Sequence, residues 1–161
     1  MLTPLMWDRL LVALAGTPDV LDGLFGSLEA DDPLWDRRPD PDRFTLREIM
    51  AHLADYDAVW LERLAQTRDE DKPALRPADK DQMALDHDYA HSDPARNRAL
   101  LRERRIALVE LLSGLRDEDW QRAGHLSPSG ELVTLEAQAA FVIIHDGYHT
   151  AQVAQWLAGR P

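Results

Sequence analysis

The chain of 161 residues contains no cysteine. Structural disulfides, cysteine nucleophiles and thiolate metal sites are therefore excluded, and any metal must be held by nitrogen and oxygen ligands. Positive charge is also scarce: 18 Lys and Arg stand against 29 Asp and Glu, a formal net charge of −11. Nucleic acid and anionic membrane both need a basic surface, so neither is expected as a partner. The one local basic cluster, Arg102, Arg104 and Arg105, is interrupted by Glu103 and reads as the solvated face of a helix. No apolar run reaches transmembrane length. Met1-Leu-Thr-Pro-Leu5 lacks the basic start and apolar stretch of a secretory signal, so a cytoplasmic location is expected. A Gly-rich phosphate loop and the G-x-S-x-G nucleophile elbow are both absent.

What remains is an ordinary globular composition, 45% hydrophobic and 29% charged. The length suits a single domain, residues 1–161, with a sizeable apolar core. The apolar residues recur at helical spacing. Leu5, Leu10, Leu11 and Leu14 mark a first segment that Gly16 is expected to end. Thr17-Pro18 can restart a helix carrying Leu21, Leu24, Phe25 and Leu28, giving either two helices or one bent at Pro18. Residues 30–43 are a proline-rich loop in which Trp35 serves as a packing lid. Helices follow at about 45–67, 93–114 and 134–158. Thr45 with Glu48 forms a capping box, Asp93-Pro94 starts the next helix, and Thr134 caps the last. Residues 69–94 are a long polar connection with a short helix near 79–89. Residues 126–133 are expected to form a small hairpin or an irregular lid.

Histidines carry the chemical signal. His145 and His149 are spaced i, i+4 inside an apolar run, which places both imidazoles on one helix face about 6 Å apart along the axis. One helix commonly supplies two metal ligands in this way. A third histidine, His52, lies among Ile49, Leu53, Tyr56 and Trp60 on a core-facing stripe. A buried polar group without a partner costs about 1–3 kcal/mol, so three such imidazoles would cost roughly 3–9 kcal/mol. Total stabilities are only roughly 5–15 kcal/mol. One divalent ion would satisfy all three if the helices face each other. Asp55, three residues after His52, is a candidate partner for a ligand N–H or a general base. Glu48 is assigned to capping, and Asp146 points away from His145. Tyr56 and Gln152 are candidate pocket-lining residues. The second i, i+4 pair, His87 and His91, sits in acidic surroundings beside Pro94 and reads as an exposed segment, and His125 reads as a surface residue.

These residues resemble the DinB-like superfamily, which includes bacillithiol- and mycothiol-dependent transferases. The matching features are Trp35, Thr45-Leu-Arg-Glu-Ile-Met-Ala-His52-Leu-Ala-Asp55, Asp119-Trp120, Thr134-Leu135 and His145-x3-His149 followed by Gln152. The resemblance implies an all-α four-helix bundle with an extra N-terminal helical segment and long crossover loops. It also implies a divalent metal (Zn, Ni, Mn or Fe) held at one end of the core by His52, His145 and His149. Three imidazoles leave a coordination position open, as in catalytic sites. The expected activity is transfer of a low-molecular-weight thiol such as bacillithiol to a small-molecule substrate. The alternatives are hydrolysis by an activated water and a non-catalytic, stress-related metal-binding bundle. A homodimer is expected on the ground that acidic bundles of this size often pair through an apolar face.

Overall fold

The computed structural model describes residues 2–159. Five helices form: α1 (Pro4–Phe25), α2 (Leu46–Asp69), α3 (Lys80–Asp86), α4 (Pro94–Ser113) and α5 (Leu135–Leu157). The four long ones make a four-helix bundle, while α3 sits in the connection between α2 and α4. Both α1 and α2 pack against α4 and α5. Consecutive helices α1 and α2 are therefore diagonal, and long loops at 26–45 and 114–134 carry the chain across the bundle.

The helix starts are local chemistry. Thr45 N–H donates to Glu48 Oε2 at 2.7 Å and Glu48 N–H donates to Thr45 Oγ1 at 3.3 Å, completing the capping box. Asp93 accepts from Ala95 N, and Thr134 accepts from Ala137 N. Of the two expected alternatives, two helices or one bent at Pro18, the structure has the single element: α1 runs through Gly16 and Pro18. Proline has no N–H for the carbonyl four residues back. That carbonyl, of Leu14, instead accepts from Arg105 Nη1 at 2.9 Å. A distant side chain thus satisfies the group that the proline orphans.

The apolar core falls into two clusters. One joins Leu21, Phe25, Trp35, Ile49, Leu53 and Trp156; the other joins Trp7, Leu14, Trp60, Leu108, Leu135 and Val142. Trp35 is buried against Phe25, with ring centroids 4.9 Å apart, as its expected packing role requires. On every long helix a buried polar residue lies between the stretches that feed the two clusters: Thr17 on α1, Asp57 on α2, Arg105 on α4, and Asp146 and His149 on α5. The bundle therefore has a polar middle layer.

Three short strands close one side. β2 (Ala123–Leu126) pairs antiparallel with β3 (Leu132–Thr134) as the expected hairpin, and parallel with β1 (Ala74–Leu75), which periodicity did not reveal. Gly124 is required there: a Cβ would meet Leu75 Cγ at 2.8 Å.

Candidate metal centre

α2 and α5 run side by side, and the i, i+4 spacing on α5 turns two imidazoles toward the one from α2. His52 and His149 are buried; His145 is half-buried. Their ring centroids form a near-regular triangle with sides of 5.0, 4.8 and 4.7 Å. One nitrogen from each ring lies within 4.8 Å of the other two. His52 Nε2 and His145 Nε2 are 3.0 Å apart. Metal–nitrogen bonds of about 2.0–2.1 Å in tetrahedral geometry put ligand nitrogens roughly 3.4 Å apart, so a small adjustment brings the set to ligating distance.

Electrostatics favours the neutral, ligating form. Burial is the leading cause in each ring. It pushes His52 down to about 2, with further depression from His149 and His145, and His149 down to about 3, with His145 adding to it. His145 is also lowered, although the Asp146 charge opposes the shift. Gln152, one turn beyond His149, has Oε1 3.1 Å from His149 Nδ1. That contact fixes Nδ1 as the donor and leaves Nε2 with a free lone pair. Gln152 is itself held by Phe44 O, which accepts from Gln152 Nε2 at 3.4 Å and from Trp156 Nε1 at 2.8 Å. His52 Nδ1 is buried and has no hydrogen-bond partner. No carboxylate neutralises the cluster. A divalent cation fits this donor set: three neutral imidazoles, one already oriented, each offer a nitrogen within 4.8 Å of the other two.

The cluster forms part of the wall of a cavity of about 510 Å3, within the range of small-molecule sites. Tyr56 stacks on His145 with centroids 5.1 Å apart, and both Tyr56 and Gln152 line the cavity. Arg43, Phe44, Lys80 and Tyr148 also line it. They come from the loop before α2, from α3 and from the outer side of α5. The exposed aromatic Tyr148 beside His149 was the only local hint of them.

Two expectations need correction. Asp55 does not serve the triad: it accepts from His87 Nδ1 at 2.5 Å and from Arg104 Nη1 at 3.0 Å. It lines a different cavity, of about 500 Å3, because three residues along a helix is a rotation of about 300° rather than a full turn. Arg105 does not belong to a solvated face. It is 1% exposed, forks between Asp57 and Asp146, and lies inside the polar layer. On α5, His145 and His149 lie between the stretches that feed the two apolar clusters, while on α2 His52 lies within the stretch that feeds the first. His87, His91 and His125 are separate from it: His91 Nδ1 faces Asp88, and His125 Nδ1 faces Gly130 O.

Comparisons with known proteins match this description. The family model described as the DinB superfamily covers residues 13–153. A protein of Bacillus subtilis (strain 168), named "Putative metal-dependent hydrolase YfiT", is 29% identical over 112 residues, which are 70% of this chain. The match spans 63% of that relative's own length. The solved structure of YfiT from Bacillus subtilis, described as an unusual four-helix bundle topology, superposes with a TM-score of 0.92. It is 24% identical and covers 100% of this chain and 92% of its own.

Proposed function

We propose that this chain, which belongs to the DinB superfamily, is a metal-dependent hydrolase acting on a small molecule, with His52, His145 and His149 as the metal ligands. The observation that carries the proposal is the convergence of three neutral imidazoles, two buried and one half-buried, on the wall of a substrate-sized cavity. When bound, a divalent ion would supply Lewis-acid polarisation of a carbonyl or phosphoryl oxygen and a water acidified toward neutral pH. The chain's own part is to hold, orient and enclose. Gln152 keeps His149 in one tautomer. Tyr56, stacked on His145 and donating from its hydroxyl to Ala78 O at 3.3 Å, braces the ring against the loop. Phe44 and Phe141 supply apolar wall.

No carboxylate touches the triad. Asp146, next to His145 in sequence, is tied to Arg105 and Thr17, and Glu48, which lines the cavity, is held by the capping box and by both bonds from Arg38 Nη2, at 2.7 and 2.8 Å. The relative's printed name supports hydrolysis, and the cavity speaks against a purely metal-storing bundle.

Transfer of a low-molecular-weight thiol such as bacillithiol is the second reading. The size of the cavity favours it, with room for a thiol beside an electrophile, and the chain has no cysteine of its own to compete. One experiment separates the two. Protein loaded in turn with Zn, Ni, Mn and Fe is assayed against carboxylic esters, amides and phosphate esters without thiol, then with bacillithiol and monochlorobimane. Turnover without thiol, abolished by His145→Ala, is the expected result. Conjugation that depends on protein and thiol, with no thiol-free turnover, would replace hydrolysis by transfer.

A further inference from the structure

The cavity beside the triad contains one cation without a counter-ion. Three basic side chains line it. Arg38 is neutralised by Glu48 at 2.7 Å and Lys80 by Asp81 at 2.5 Å. Arg43 forms no ion pair with any described residue. It is held by aromatic faces: its guanidinium carbon lies 4.6 Å from the Trp156 ring centroid and 5.6 Å from that of Tyr148. Its Nη2 donates to the Tyr148 hydroxyl at 3.2 Å. Its Nε is buried and unpartnered. Of five N–H donors, the protein uses one. Among the carboxylates of the lining, Glu48 and Asp81 are those already paired, and Asp42 is exposed on the turn before Arg43 and makes no ion pair among described residues.

An unpaired guanidinium in a chain with an 11-charge excess of acid calls for a ligand explanation. Its stacking fixes the plane of the group while leaving the donors open, so a partner meets a preformed fork. A planar fork of N–H groups matches a carboxylate in bidentate geometry. A single uncompensated charge suits a monoanion better than a phosphate dianion. The charge is also close to the reacting centre: Tyr148, which Arg43 touches, has its ring centroid 4.9 Å from that of His149. Arg43 contributes to holding His149 neutral. Phe44 and Phe141 furnish apolar surface in the same cavity.

We propose that Arg43 is the anchor for a carboxylate group on the substrate, so that the substrate class is a small carboxylic acid with an apolar or aromatic body. The assignment rests on the reading of this cavity as the substrate site. It gives Arg43 a binding role: the guanidinium fixes the head of the molecule while the body reaches across the apolar wall toward the triad.

The test is calorimetric binding to metal-free protein, prepared with a chelator so that a carboxylate cannot reach a metal. Phenylacetate and 4-methylpentanoate are compared with their neutral amides, and inorganic phosphate is titrated in parallel. Charged hydrogen bonds of this type are expected to favour each acid over its amide by about tenfold or more. Arg43→Gln should remove that preference, Arg43→Lys should restore part of it, and Lys80→Gln should leave it. The proposal is overturned by equal binding of acid and amide, by failure of every acid to bind, or by an unchanged preference in Arg43→Gln. It is equally overturned by loss in Lys80→Gln instead, or by phosphate binding more tightly than the acids. Because no turnover is measured, loss of the hydrolase reading and loss of this one give different results: a charge preference without catalysis retains the anchor, and catalysis without a charge preference retains the hydrolase.

Discussion

Two buried polar clusters share α2 and α5, and they differ in whether their hydrogen bonding is complete. Arg105 is the saturated one. Its Nε and Nη2 donate to the two oxygens of Asp57, both at 2.8 Å. Nη1 and Nη2 also donate to Asp146, at 2.5 and 3.0 Å, and Nη1 to Leu14 O. The Thr17 hydroxyl, on α1 like Leu14, also donates to Asp146 at 2.8 Å. All five guanidinium donors are used, and every long helix contributes. One residue away from Asp146, the histidine triad shows the opposite state. Among the described residues its rings form no ion pair and His52 Nδ1 has no hydrogen-bond partner, and the closest internal contact is between two imidazole nitrogens. A saturated cluster has nothing left to offer a ligand and serves the fold. An unsaturated, largely buried one has free lone pairs directed at a common point, and that is what a metal site needs before the metal arrives.

The comparison predicts different kinds of damage. Arg105→Met leaves two buried carboxylates facing each other without a cation. The expected loss of folding stability is about 3–5 kcal/mol, the usual cost of removing one partner of a buried pair. Urea denaturation of the metal-free protein measures it, and a loss below about 1 kcal/mol would mean that the network is solvated. Next in size is Gln152→Leu, which spares the fold but frees the His149 ring. Metal affinity should fall by about 10- to 100-fold, as for other partners of a ligating imidazole, with the urea midpoint of the metal-free protein little changed. Competition with a chromogenic chelator reads this directly, and an unaltered affinity would remove Gln152 from the site. The smallest effect is Thr17→Val, which keeps shape and deletes one hydrogen bond to Asp146. It should cost about 1 kcal/mol of stability and leave metal binding intact. A fall in metal content there would show that the two clusters are one functional unit.

The contrast also separates what was legible in the sequence from what was not. Features written within one turn of helix were readable: the Thr45–Glu48 box, the Thr134 cap, the Asp93-Pro94 start, and the i, i+4 spacing of His145 and His149. The facing of His52 toward that pair came from its core stripe together with the family resemblance. The choice between two helices and one through Pro18 was not readable, because the carbonyl of Leu14 that the proline orphans is taken up by Arg105, 91 residues further along the chain. The burial of Arg105 escaped for the same reason. Arg102 and Arg104 on the same helix pair with Asp19, Asp22 and Asp55 nearer the surface, and only the position of α1 and α5 decides which arginine points inward. Asp55 misled because the distance from His52 along the chain says nothing about His87, whose ring reaches it from the connection after α3. Arg43 had no local signature, since its setting is made by Tyr148 and Trp156 from the far end of the chain.

The central claim is that His52, His145 and His149 bind one ion jointly, and metal per chain across the six single His→Ala proteins tests it most directly. Each protein is saturated with zinc, desalted and analysed for bound metal, with circular dichroism as the folding control. The account predicts close to one ion per chain in wild type, His87→Ala, His91→Ala and His125→Ala. It predicts most of the metal lost from His52→Ala, His145→Ala and His149→Ala, with helicity retained because the two apolar clusters do not depend on the ion. Full occupancy in His145→Ala, or an emptied site in His87→Ala or His91→Ala, would contradict it.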